Sequence, residues 1–165
     1  MLTNYEQLGE KVARLASAIS SLAGGEKGVH VGLLMENTPA YLEVLFACWH
    51  AGCVAVPINS KLHPKESAHI LSESKSLLCF ATEAAAEQIE SHRPASLSYV
   101  IDVESADYKQ MLTSCEAPPE SRDPGDPAWI FDTSGTTGSP KGAILTHENL
   151  TAMSACYFLD IDPMG

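Results

Sequence analysis

Basic residues are scarce in this chain: 10 Lys plus Arg stand against 21 Asp plus Glu, a formal charge of −11. Nucleic-acid affinity rests mainly on clustered cations, so this balance weighs against a polyanionic partner. No apolar run approaches the roughly 18 residues of a membrane span, and the N-terminus is too polar and amphipathic for a secretory signal. The five cysteines, Cys48, Cys53, Cys79, Cys115 and Cys156, form no CxxC pair. They read as reduced core or surface thiols rather than zinc ligands or a disulfide framework. A cytoplasmic location is the resulting expectation.

What is present suits one folded domain. A chain of 165 residues, 45% hydrophobic and 19% charged, buries about 70% of its unfolded surface. Thr3 followed by Glu6 reads as a capping box, and Tyr5, Leu8, Val12, Leu15, Ala16 and Ile19 then recur at helical spacing until Gly24 and Gly25. "VHVGLLM" (29–35) is short and rich in strand formers, which predicts a buried strand. Asn37 and Thr38 can cap a second helix with Pro39 in its first turn, running to Gly52. The strand "CVAVPI" follows. Next come a helix over 64–75, a strand over 77–81, a helix over 83–92 and a strand over 97–102. Such alternation predicts an α/β fold, a three-layer mainly parallel sheet with helices on both faces. Four prolines and five charged residues in "CEAPPESRDPGDP" mark a surface linker at about 116–127. Beyond it come the strand "AWIFD", a loop, the strand "AILTH" and a helix over 148–159.

The loop between those last two strands, "TSGTTGSPKG" (133–142), has the composition of a phosphate cradle. Gly135, Gly138 and Gly142 let the backbone approach a ligand closely. Thr133, Ser134, Thr136, Thr137 and Ser139 supply hydroxyl donors, freed N–H groups can form an anion nest, and Lys141 brings a mobile positive charge. On composition alone a plain Gly/Ser/Thr connector stays open beside the cradle. Two familiar phosphate motifs fail here. A Walker A loop needs Gly before its Lys, Ser or Thr after it and a helix starting there, whereas Pro140 precedes Lys141 and a strand follows. No GxGxxG spacing exists either.

Along its whole length "TSGTTGSPKG" resembles the signature phosphate-binding loop of the adenylate-forming superfamily, and "AILTHENL" continues in that family's manner. "LTNYEQL" (2–8) and "HAGCVAVPIN" (50–59) resemble two further family motifs, while "PINSKLHPKE" looks more like acyl-CoA or aryl-CoA ligases than peptide-synthetase domains. The resemblance implies the first part of the large N-terminal domain of an adenylate-forming enzyme. It implies a carboxylate attacking the α-phosphate of Mg-ATP to give an acyl-adenylate and pyrophosphate, after which coenzyme A displaces AMP to form a thioester. Small-molecule carboxylate, ATP, Mg2+ and coenzyme A are the implied substrates and cofactors. Thr133, Ser134, Gly135, Thr136, Thr137, Gly138 and Lys141 are the implied ATP-phosphate contacts, holding the β and γ phosphates as charge develops on them, with Lys141 a point charge rather than a base.

Asp132 departs from the aromatic or small residue frequent at its place in the family. It reads as an Asx-type cap of the loop, the alternative being a metal ligand. His147 is either a ligand-facing group or the start of the last helix, and the structural role is preferred. Trp49 and Trp129 read as core. The chain carries nothing that resembles the later family motifs for adenine, ribose or carboxylate activation. The expectation is therefore an N-terminal portion of an acyl-CoA synthetase, inactive alone, whose uncovered sheet favours self-association. A non-catalytic phosphate-binding or interaction module and part of a peptide-synthetase adenylation domain are the alternatives.

Overall fold

Apolar residues alternate along each strand of this chain, and the two faces they define are covered by different helices. In a computed structural model, which describes residues 4–133 and 141–161, the chain forms α1 (Tyr5–Leu22), β1 (His30–Leu34), α2 (Pro39–His50), β2 (Val54–Pro57), α3 (Pro64–Glu73), β3 (Leu78–Ala81), α4 (Glu83–Glu90) and β4 (Tyr99–Asp102). α5 (Ala106–Met111), β5 (Pro127–Thr133), β6 (Lys141–Thr146), α6 (His147–Cys156) and a π-helical segment, Tyr157–Ile161, complete it. One six-stranded sheet has the order β4-β3-β1-β2-β5-β6. Its first five strands are parallel, and β6 runs antiparallel to β5. The predicted α/β architecture is the observed one.

On the first face Val31, Leu33, Ala55, Leu78 and Phe80 pack against Leu15 and Ile19 of α1, Val44 and Cys48 of α2, and Tyr108 of α5. On the second, Leu34, Val56, Cys79 and Ala81 meet Ile70 and Leu71 of α3 and Ile89 of α4. This period of two is what a strand buried on both sides requires. Gly32 shows how tightly the second layer closes, for a Cβ there would lie 2.4 Å from Leu71 Cδ2. Gly52, at φ +69°, turns the chain out of α2 in the left-handed conformation that glycine tolerates best.

Three details differ from the sequence reading. The cap of α1 is one residue later: Asn4 accepts from the Gln7 N–H while the Gln7 side chain accepts from the Asn4 N–H, because Asn4/Gln7 satisfies the same four-residue pattern as Thr3/Glu6. Thr38 is the N-cap of α2, yet its side chain makes no cap hydrogen bond. The short α5, capped by the Ser105 hydroxyl accepting from the Tyr108 N–H, was not foreseen, since six residues are too few to display a helical period. The segment after α5 has no regular structure but is not loose. Ala117 and Glu120 donate their N–H groups to the carbonyls of Ala13 and His50, and the His50 Nε2–H donates to the Ala117 carbonyl at 2.7 Å.

α6 has no buried residue. Met153, Tyr157, Phe158 and Leu159, together with Ile144 of β6, are among the exposed large apolar side chains. β6 is also the edge of the sheet.

Candidate phosphate-binding site at the carboxyl edge of the sheet

Because β5 is parallel to β1 and β2, it delivers the loop to the edge where those strands end. Thr133 pairs with Lys141, closing the β5–β6 hairpin. Those two backbones are the described ends of the predicted cradle, whereas Ser134, Gly135, Thr136, Thr137 and Gly138 lie outside the described residues. Asp132 pairs with Gly142 in the same ladder, and its side chain lies outside the described set. Gly142 is held close, since a Cβ there would sit 2.9 Å from Ile130 Cγ2.

At the same edge the connection leaving β1 climbs to α2 on the first face, and the connection leaving β2 goes to α3 on the second. Open α/β sheets bind ligands in the crevice that such divergence opens. Here the crevice is a cleft of about 530 Å³, walled by Met35, Glu36, Asn37 and Tyr41 after β1, by Pro57 to Lys61 after β2, and by Phe131 of β5. Asn59 shapes its wall by accepting the Lys61 N–H at 3.0 Å through Oδ1. Burial, assisted by Cys48, raises the Tyr41 phenol above its ordinary pKa, so it stays a neutral donor. Asn37, Tyr41, Asn59 and Lys61 were not singled out as site residues from sequence. Their available signal is position, one to six residues after the first two predicted strands.

The structure separates His147 from this edge. It is the first residue of α6, at the far end of β6, and six residues rising about 3.4 Å each put it roughly 20 Å from Lys141. Its Nε2 is buried without a partner among the described residues. The ring lines a second cleft of about 710 Å³ with Trp49 and Arg122. Burial and the Arg122 charge lower its pKa, with Asp126 opposing them. Trp49 and Trp129 pack together with ring centroids 5.6 Å apart, both at the margin of the first-face core. Cys48, Cys53 and Cys79 are buried, Cys115 and Cys156 exposed, and all five are free.

The sequence matches the family described as AMP-binding enzyme over residues 2–163. The chain belongs to that family. Among curated members, a feruloyl-CoA synthase from an Amycolatopsis species is 39% identical over 149 residues, covering 89% of this chain and 29% of the relative. A crotonobetaine/carnitine–CoA ligase from Escherichia fergusonii is 35% identical over 163 residues, covering 89% of this chain and 31% of the relative. The chain thus spans about a third of those relatives' length. Among solved structures, a fatty acyl CoA synthetase of Mycobacterium tuberculosis superposes with a TM-score of 0.85 at 30% identity, over 97% of this chain and 32% of that one. The inhibitor-bound N-terminal domain of FACL13, from the same organism, gives 0.86 at 30%, over 97% and 41%. The AMP-binding family's mostly parallel α/β frame is therefore present, with the strand–loop–strand unit at its carboxyl edge.

Proposed function

We propose that residues 133–142 are the phosphate-gripping loop of an ATP-dependent carboxylate–CoA ligase that proceeds through an acyl-adenylate. The observation that carries this reading is a ten-residue hydroxyl- and glycine-rich motif, spanning a β-hairpin end beside a cleft at the carboxyl edge of an AMP-binding family sheet. In the proposed mechanism a small-molecule carboxylate attacks the α-phosphate of ATP. Thr133, Ser134, Gly135, Thr136, Thr137, Gly138 and Lys141 hold the departing β and γ phosphates, offering donors and one cation where negative charge accumulates. Coenzyme A then takes the acyl group as AMP leaves. In this reading Mg2+ enters bound to ATP and would neutralise part of the charge on its phosphates. No described helix is long and apolar enough to cross a membrane, and we place the reaction in the cytoplasm.

Calorimetric titration of the chain with Mg-ATP and with pyrophosphate tests the loop. Lys141→Ala should weaken both at least tenfold, as expected for a charge-assisted contact worth about 1.5 to 3 kcal/mol. Affinity that is untouched by this change would refute the assignment. Carboxylate-dependent exchange of pyrophosphate into ATP should be absent from the 165-residue chain and appear in a longer protein carrying the remaining family motifs.

We further propose that the isolated chain self-associates through the β6 edge and the apolar residues of α6. Unpaired strand edges and contiguous exposed apolar surface both promote association. Light scattering should show mass rising with concentration, and Ile144→Lys should reduce it. A strictly monomeric chain at high concentration would remove this proposal.

A further inference from the structure

Among the described residues, the strand that presents the loop packs beside β2 but shares few ladder positions with it. β1 shares four register pairs with β2 and four with β3, whereas β5 meets β2 at one, Ala55 to Trp129. Its ladder with β6 is also interrupted. Pro127 faces Thr146 and Trp129 faces Leu145, with a register shift between them, so Ala128 is an extra residue. A bulge leaves such a residue outside the ladder and bends its strand. Ala128 is fully buried, and a buried carbonyl needs a partner.

Trp49 supplies one. From the last turn of α2, its indole Nε1–H donates to the Ala128 carbonyl at 2.8 Å. Its ring also packs on Trp129, the next residue of the strand. The Trp129 Nε1–H, by contrast, finds no acceptor among the described residues. The chain has two tryptophans, side by side, and only one is hydrogen-bonded to the bulge.

We propose that Trp49 is a positioning residue for the phosphate loop: by binding the bulged Ala128 carbonyl it locks the register of the hairpin that ends at the Thr133–Lys141 pair. If the bulge migrated or collapsed by one residue, β5 would slip against β6. Side chains alternate with a period of two, so each β5 residue from the bulge onwards would exchange faces. Thr133 would lose its place opposite Lys141, and the loop between them would change length. Tyr41 of the same helix walls the cleft, so α2 holds cleft and hairpin in one frame. The tether itself stands on geometry alone, while its value for phosphate binding rests on the function proposed above.

Hydrogen exchange of the whole chain, read by mass spectrometry, separates these points by comparing Trp49→Phe with Trp129→Phe. Both replace an indole by a phenyl ring, but only the first removes the hydrogen bond. Residues 127–133 and 141–146 should exchange about fivefold faster in Trp49→Phe, the equilibrium equivalent of one hydrogen bond worth about 1 kcal/mol. Peptides of β1 and β3 should be unchanged, and Trp129→Phe should leave the hairpin as it was. Unaltered hairpin exchange in Trp49→Phe, or an equal rise in β1 and β3, overturns the tether. In a second arm, pyrophosphate affinity should fall about fivefold in Trp49→Phe, yet hold in Ile89→Val, a destabilising change in the opposite layer. Faster hairpin exchange with intact pyrophosphate affinity in Trp49→Phe overturns the positioning role. Absence of pyrophosphate binding by the unaltered chain would fall on the proposed function instead, and the exchange arm would still decide the tether.

Discussion

Lys11→Met should destabilise this fold more than Glu43→Gln, although the two residues share one ion pair. Glu43 lies inside α2 and is 4% exposed. Its Oε1 is 2.5 Å from Lys11 Nζ of α1, and its Oε2 accepts the Tyr108 O–H of α5 at 2.9 Å. One carboxylate therefore joins the three helices of the first face. The Lys11 side chain keeps 38% exposure, so its ammonium can turn to water when its partner is lost; the carboxylate cannot. Removing the lysine leaves a buried charge with a single donor, a situation that costs about 3 to 5 kcal/mol, and partial access of water along the lysine channel favours the lower end. Glu43→Gln removes the charge while keeping an acceptor for Tyr108, at a cost of about 1 kcal/mol. The double substitution Lys11→Met/Glu43→Gln should recover most of the Lys11→Met loss, because it removes the uncompensated buried charge while the new amide still offers an acceptor to the Tyr108 O–H. Urea unfolding followed by circular dichroism measures all three. A Lys11→Met cost below that of Glu43→Gln, or a double variant as unstable as the sum of the singles, would refute the reasoning.

Thiol accessibility should divide the cysteines two against three, with Cys115 and Cys156 reacting at once with an aromatic disulfide at pH 8. Burial raises the pKa of the Cys48 thiol well above its ordinary value, that of Cys53 to about 11 and that of Cys79 to about 12, so these three should react only on unfolding, and rapid labelling of more than two would contradict the packing. His147 supplies a pH dependence. Its folded pKa is lowered from 6.5 by burial and Arg122, so below that value the unfolded chain binds the extra proton, and the stabilisation present above about pH 6.5 drains away as pH falls. The thermal midpoint should decline from pH 7 to pH 5, and His147→Asn should flatten that decline; an unchanged slope would show that the ring titrates freely.

The repeating frame was legible because its signals are local. Strands of four or five apolar residues, Pro39 at the start of α2 and Gly52 at its end each act within one turn of chain, and the sequence places all five parallel strands near their observed bounds. The cap of α1 slipped by one residue because Thr3 and Asn4 are both good caps with a suitable partner three residues on. Non-local features escaped. The burial of Glu43 arises only when α1 and α5 close over it, and the cleft gathers residues from β1, β2 and β5 that meet only through the strand order. Trp49 reads as core in the sequence and packs half-buried at the core's margin, but its bond to Ala128 spans 79 positions and arises from a bulge that no residue type announces.

The acidity of the chain and its proposed anionic ligand are compatible once distance is considered. A charge of −11 opposes a long polyanion, which must lie across many carboxylates at once. A triphosphate occupies a few ångströms, and in physiological salt charges beyond about 8 Å are largely screened from it. Local donors then decide the outcome. The carboxylates that the fold engages are mostly elsewhere: Glu43 is spent on Lys11 and Tyr108, Glu120 on Lys27, Asp126 on Arg122 and Glu90 on Arg93. At the carboxyl edge Glu36 and Lys61 both line the cleft, and the proposed loop would add Lys141 with a run of hydroxyl and backbone donors. Neutral donors can hold an anion without the long-range field that would draw in nucleic acid, so in the proposed site selectivity for a compact phosphate over a polyanion would follow from using one lysine and many N–H and O–H groups rather than many lysines.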